Sequence, residues 1–293
     1  SGISNVTCDI YNDKIPVPKI GPEAMHLMFF GEDASSTAAE AFITDVATGA
    51  DGSRTISGEL VVAPGTYRLL AYDFGTEATL VRNYNIWDEA EAYTESAPKG
   101  IQNRFRSRSG EPFNILEEPD HLVVAASERE VIPYHEGIYT IYAQARSVVE
   151  SWYLQIKVDG LEYVSSAQAV LSGMVGSNLI ATNTRVTEPE AAIWFNLQKS
   201  DDKGVPVICT VFGTFGRIDR STNNLEVTFN IQTTDGKTVV RTFDISGLFE
   251  TENAIRHHWL LLDETIKIDP PQTGGGFDPK VDDWDEEHHD VII

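Results

Sequence analysis

Residues 59–74, ELVVAPGTYRLLAYDF, constrain the fold more than any other stretch of the chain. Past Gly65 the sequence alternates, with Tyr67, Leu69 and Ala71 on one face and Arg68, Leu70 and Tyr72 on the other. These aromatic and aliphatic residues suit a half-buried pleated surface and predict a strand. Pro64 presets φ for the first central position of a type II turn and Gly65 supplies the positive φ of the second, so the dipeptide predicts a hairpin. Related alternation recurs in the second half, and the expected architecture is all-β, with two tandem Greek-key β-sandwich domains.

The length fits that division. A chain of 293 residues is long for one core and comfortable for two domains of about 100–150 residues. The boundary is expected near Arg146, giving domains 1–146 and 147–293. It is not a flexible linker, because residues 146–151 lack glycine and proline and run straight into the alternating stretch 152–158. The longest unbroken apolar runs are five residues, too short for a membrane-spanning helix. With 45 acidic against 22 basic residues, the net charge of −23 repels phosphate backbones and argues against a nucleic-acid partner.

In chain order, strands are predicted at 6–11, at 25–30 and, after the Asp51-Gly52 turn, at 55–62, with a proline-spaced connector at 15–21. Residues 32–40 read as a surface loop or short helix, and 42–45 as an edge strand. Pattern weakens over 83–119, where Trp87, Tyr93 and Phe105 lie among small and charged residues and Arg104, Arg106 and Arg108 form a basic cluster. Long irregular stretches are often functional, so Trp87, Tyr93, Arg104, Arg106 and Arg108 are the candidate ligand contacts. The plainer reading is that the arginines solvate a loop. Strands at 122–125 and 138–145 are expected to close the first domain.

The second half holds the clearest hairpin. Leu225, Val227, Phe229 and Ile231 share one face, and Asp235-Gly236 marks the turn. A two-residue loop mismatches the apolar faces. A three-residue loop over Thr234, Asp235 and Gly236 pairs Ile231 with Val239 and Val227 with Phe243, placing Gly236 in a left-handed bulge position. Strands at 259–262 and 265–268 follow. The acidic tail after Gly274-Gly275-Gly276 carries apolar anchors, including Phe277 and Trp284, and is expected to pack back on the second domain.

No glycine-rich phosphate loop, zinc-protease helix, nucleophile elbow or paired CxxC occurs, so no enzyme chemistry and no cofactor are predicted. His257-His258 and His288-His289 are adjacent pairs, and neighbours on a strand point to opposite faces, so neither pair is expected to chelate one metal ion. Acidic residues 282, 283 and 285–287 offer oxygen donors for calcium, against the plainer reading of a solvated face. Trp87, Tyr93, Trp152, Tyr153 and Trp194 are the aromatics available to stack on a glycan. Cys8 and Cys209 each sit in an apolar stretch, and two buried free thiols are expected.

Several segments in order resemble the Bacteroidetes fimbrial-anchor lipoproteins, the FimB-like family, and a closely related family of uncharacterised Bacteroides surface lipoproteins. They are MHLMFFGED at 25–33, VVAPGTYRLLAYDFGTEATLVRN at 61–83, LSGMVG at 171–176, TFGRI at 214–218, FDIS at 243–246 and the final GGGFDPKVDDWDEEHHDVII. The resemblance implies transthyretin-like sandwich domains and a non-enzymatic role in fimbria anchoring, assembly or adhesion. It also implies a place at the outer membrane, through a lipidated cysteine upstream of Ser1. The implied partner is a fimbrial subunit, met at a strand groove or sheet edge. The alternative is a surface protein that captures glycan.

Overall fold

The computed structural model describes residues 22–105, 114–218 and 225–272, and over these the chain is predominantly β. In chain order the first elements are β1 (Met25–Phe30), β2 (Thr37–Ile43), β3 (Asp45–Thr48), β4 (Arg54–Ser57), β5 (Gly65–Asp73), β6 (Leu80–Arg82), β7 (Glu91–Tyr93), α1 (Lys99–Arg104), β8 (Ile115–Glu117) and β9 (Val123–Ile132). There follow β10 (Arg146–Ser147), β11 (Glu150–Asp159), β12 (Val164–Met174), β13 (Ser177–Leu179), β14 (Thr184–Val186), β15 (Ala191–Asp202) and β16 (Val205–Thr214). The last are β17 (Glu226–Thr233), β18 (Thr238–Asp244), α2 (Glu252–His257) and β19 (Trp259–Lys267).

The first sheet is antiparallel, in the order β10-β9-β5-β1-β2. Central β5 has the two faces its sequence alternation predicts. Leu69 and Ala71 pack with Met25, Phe29 and Ala125, while Leu70 and Tyr72 pack with Met28, Phe30 and Val124. Burying both faces is what makes β1 almost uniformly apolar.

The Pro64-Gly65 hairpin is not formed. Both edges of β5 are occupied, by β1 and β9, so residues 58–64 have no edge of that strand left to pair with. They run alongside without a ladder and send Leu60 and Val62 onto the outer cluster, while Val61 is 97 % exposed. Gly65 is simply the first residue of β5. The same applies to residues 138–145, expected as a strand: Ile141 alone reaches that cluster, and Tyr142 is solvent-exposed. Period-two patterning reports an extended chain with one buried face, and a face can be buried without ladder hydrogen bonds. The stretch 32–40 is a turn followed by the start of β2, so the edge strand expected at 42–45 begins earlier, at Thr37, and ends at Ile43.

In the second half, a sheet ordered β18-β17-β12-β15-β16-β11-β19 folds around one core. The long β15 turns the corner, pairing residues 191–197 with β12 and 198–202 with β16. Inward residues of both limbs then meet, and the rings of Phe195 and Phe212 stack at 4.4 Å. The β17–β18 hairpin has the expected register, Ile231 opposite Val239 and Val227 opposite Phe243, with Gly236 at φ +82°. The two closing strands are one, β19, parallel to β11 with a register shift between Leu262 and Thr265.

The stretch 83–119 is more ordered than its sequence indicates. Its β7 pairs with β13, its β8 adds in parallel to β15, and α1 packs Ile101 with Val170 and Ala192. Elements of three to six residues whose partners lie far away in sequence leave little periodic signal. Cys209 is fully buried and disulfide-bonded, which overturns the expectation of two free thiols. Cys8, the predicted strand at 6–11, the connector at 15–21 and the acidic tail with its calcium donors and His288-His289 lie outside the described residues.

A candidate docking edge

Strand β2 ends the first sheet, and among the described residues its outer edge pairs with nothing. Such an edge carries a row of backbone donors and acceptors able to take up another strand. Beside it lies an aromatic cluster that the sheet register assembles. Phe42 of β2 sits opposite His26 of β1, which sits opposite Tyr72 of β5, so the three form one row across the sheet. The His26 and Phe42 rings stack at 4.4 Å, Tyr84 meets His26 edge-on at 5.7 Å, and Phe74 meets Phe42 edge-on at 5.0 Å.

Cross-strand aromatic pairs normally bury one another, yet here much area stays in water. Phe42 is 61 % exposed, Tyr84 46 % and Phe74 39 %. His26 beneath them is buried and held from both sides, its Nε2 3.0 Å from Glu40 Oε2 and its Nδ1 3.1 Å from the Tyr72 hydroxyl. A proton on Nε2 satisfies all three groups: His26 donates to Glu40 and accepts from Tyr72. Burial, reinforced by Tyr84 and Glu40, pushes the Tyr72 phenol up, so it stays a donor at physiological pH. The result is an aromatic rim with one carboxylate next to an open strand edge. That chemistry suits recognition of an extended polypeptide.

The earlier candidates fall in separate settings. Trp87 is core: its indole N–H donates to the Leu69 carbonyl at 2.9 Å and the Arg68 guanidinium lies 5.1 Å over its ring. Tyr93 is half-buried on β7 beneath Arg82, 4.6 Å from its ring. Arg104 closes α1 and donates to Gln168 Oε1 at 3.0 Å. Arg106 and Arg108 lie outside the described residues. Trp152 and Tyr153 are buried, and Trp194 packs against the α1 cluster, which removes the glycan platform that these aromatics and Trp87 would form. His257 and His258 diverge, stacking on Trp259 and Trp152 respectively. The aromatic rim escaped sequence reasoning because His26, Phe42, Tyr72 and Tyr84 become neighbours only once the register is known.

The chain is 22% identical over 300 residues to a candidate fimbrium anchoring subunit, Fim4B, of Bacteroides ovatus, across 91% of this chain and 83% of the relative. The crystal structure of a candidate adhesin from Bacteroides ovatus superposes with a TM-score of 0.61 at 20% identity, covering 94% of this chain and 99% of that one. A second candidate adhesin from Bacteroides ovatus gives a TM-score of 0.50 at 11% identity, covering 87% and 83%. These likenesses share the fold, and the resemblance read from the sequence is upheld. A family model described as a domain of unknown function, DUF5119, matches residues 3–196, well over half of the sequence, and the chain therefore belongs to the DUF5119 family.

Proposed function

We propose that this chain is a non-enzymatic protein of the bacterial cell surface that acts in fimbrial anchoring or adhesion, and that it meets a fimbrial subunit at the free edge of β2. The observation that carries this reading is the pairing of an open strand edge with the exposed Phe42–Phe74–Tyr84 rim. Backbone pairing gives such an interface its affinity, and aromatic side chains seated in the partner give it specificity. The descriptions of the relatives, an anchoring subunit and two adhesins, fit the same role. In this reading the protein hangs from the outer membrane by a lipid attached upstream of Ser1. It works as two sandwich units meeting near Arg146, with Tyr93 and Arg104 as secondary contacts.

The test is binding of the purified chain to the fimbrial subunit encoded beside it, compared with a Phe42→Ser/Phe74→Ser variant. Loss of at least about tenfold in affinity with an unchanged circular dichroism spectrum is expected, since a few aromatic anchors carry most of such an interface. Equal affinity of both proteins, or fimbriae unchanged after deletion of the gene, removes the proposal.

A further inference from the structure

The register of β2 fixes what a strand added to its free edge would meet. Ala39, Ala41 and Ile43 stand opposite Phe29, Leu27 and Met25, while Glu40 and Phe42 stand opposite Met28 and His26. On the first face the outer apolar cluster runs out at the edge: Ala39 and Ile43 are its half-buried margin, and beside Phe29 and Leu27 the edge strand offers only methyl groups. Large side chains of an incoming strand would lie over Ala39 and Ala41 and extend that cluster. On the other face stand the exposed Phe42 ring and the Glu40 carboxylate, whose side chain is 58 % exposed although its Oε2 lies 3.0 Å from His26. Charge along this part of the chain is of one sign. Residues 22–53 contain six acidic residues, Glu23, Glu32, Asp33, Glu40, Asp45 and Asp51, all exposed, and no lysine or arginine. Glu32 and Asp33 lie in the turn before β2 and Asp45 starts β3 after it, so acids bracket the edge at both ends.

We infer that the partner segment is a basic, alternating strand. It sets a lysine or arginine beside Glu40 and an apolar side chain beside Phe42 on one face, and large apolar side chains beside Ala39 and Ala41 on the other. The inference rests on the reading of β2 as the docking edge and adds the chemistry of what docks there. Charge complementarity selects the occupant. An opposite charge directly across from Glu40 stabilises a strand pair and a like charge destabilises it. A neutral residue there would take water from the carboxylate without supplying a counter-charge, which is costly. Pairing of β2 with a second copy sets the same six acids, on two chains of net charge −23, against each other. A basic segment is instead drawn in by the field of the whole chain, so its association is fast at low salt. Phe42 adds a ring face against which the stem of a lysine or a guanidinium packs.

Binding of the full chain to the fimbrial subunit encoded beside it, at about 0.05 M and about 0.5 M salt, tests this with Glu40→Gln, Glu40→Lys and Phe42→Ser/Phe74→Ser, each checked for folding by circular dichroism. Glu40→Gln keeps an oxygen that accepts from His26 and removes the charge. A loss of about fivefold in affinity is expected at low salt, falling below about twofold at high salt. Glu40→Lys sets like charges together and is expected to lose at least about tenfold at low salt. If both Glu40 variants bind as tightly as the parent while Phe42→Ser/Phe74→Ser binds weakly, the edge docks a partner and the basic-strand inference fails. If none of the three differs from the parent, the docking reading fails and the inference with it. Sedimentation of the chain alone is expected to show a monomer. A dimer that Phe42→Ser/Phe74→Ser disperses makes the occupant a second copy and overturns the inference.

Discussion

The imidazole of His121 hydrogen-bonds through Nδ1 to the carboxylate of Asp73, with side-chain exposures of 3 % and 0 %. The other Asp73 oxygen accepts the backbone N–H of Val123, so one carboxylate at the end of β5 holds the entry to β9.

That clamp makes stability depend on pH. The hydrogen bond that His121 donates to Asp73 raises the His121 pKa above its ordinary value, against the opposing effect of burial. A raised folded-state pKa gives a contribution that is complete below the unfolded value of about 6.5 and is lost as pH rises through the folded value. His121→Ala leaves the Asp73 carboxylate buried without its partner and is expected to cost about 3 kcal/mol at pH 6. Urea denaturation of both proteins from pH 6 to 9 checks this: the gap between them shrinks as pH rises, and a constant gap refutes the clamp.

Two glycines with similar backbone angles are expected to respond differently to alanine. Gly160 at φ +86° leaves no room, since an added Cβ would stand 2.2 Å from the Ile268 carbonyl oxygen, whereas Gly236 at φ +82° has nothing within 4 Å. Gly236→Ala carries only the left-handed conformational cost of about 1 kcal/mol. Gly160→Ala must also displace the backbone that closes β19 on β11, where the Ile268 N–H donates to the Asp159 carbonyl at 2.8 Å. Thermal unfolding is expected to fall by at least about twice as much for Gly160→Ala as for Gly236→Ala.

What the sequence revealed and what it hid follow from the range of the interactions. The register of Val227 with Phe243 was legible because two adjacent strands must present matched apolar faces across a short loop. The faces of β5 were legible for the same local reason. Pro64-Gly65 misled because a turn signal does not say whether the strand beyond it has a vacant edge, and β1 and β9 fill both. The docking rim depends on three strands brought into one register at His26, and β7 and β8 depend on partners beyond residue 176. None of these pairings leaves a mark on its own segment.

The stacked rings of Phe195 and Phe212 lie where β15 passes between the limbs of the second sheet, and both are buried. Phe195→Ala opens a cavity at that corner and is expected to cost about 3–5 kcal/mol. Phe195→Leu, which keeps most of the apolar volume, is expected to retain more than half of the lost stability. Urea denaturation midpoints of the two variants decide the matter, and equal losses would show that the corner depends on something other than packing.

Phe42 and His26 touch each other but are expected to separate function from stability. Phe42→Ala removes a ring that is mostly in water, so unfolding stability should stay within about 0.5 kcal/mol of the parent. His26→Ala takes the hydrogen-bond partner from the buried Tyr72 hydroxyl and is expected to cost about 1–3 kcal/mol. If the rim is a binding surface, Phe42→Ala should nevertheless weaken subunit binding about tenfold, as removal of an exposed aromatic anchor does. Measuring urea stability and subunit affinity on both variants sets the two effects side by side. A Phe42→Ala protein that loses stability and keeps its affinity would mean that the ring serves the fold, and the docking edge would have to lie elsewhere.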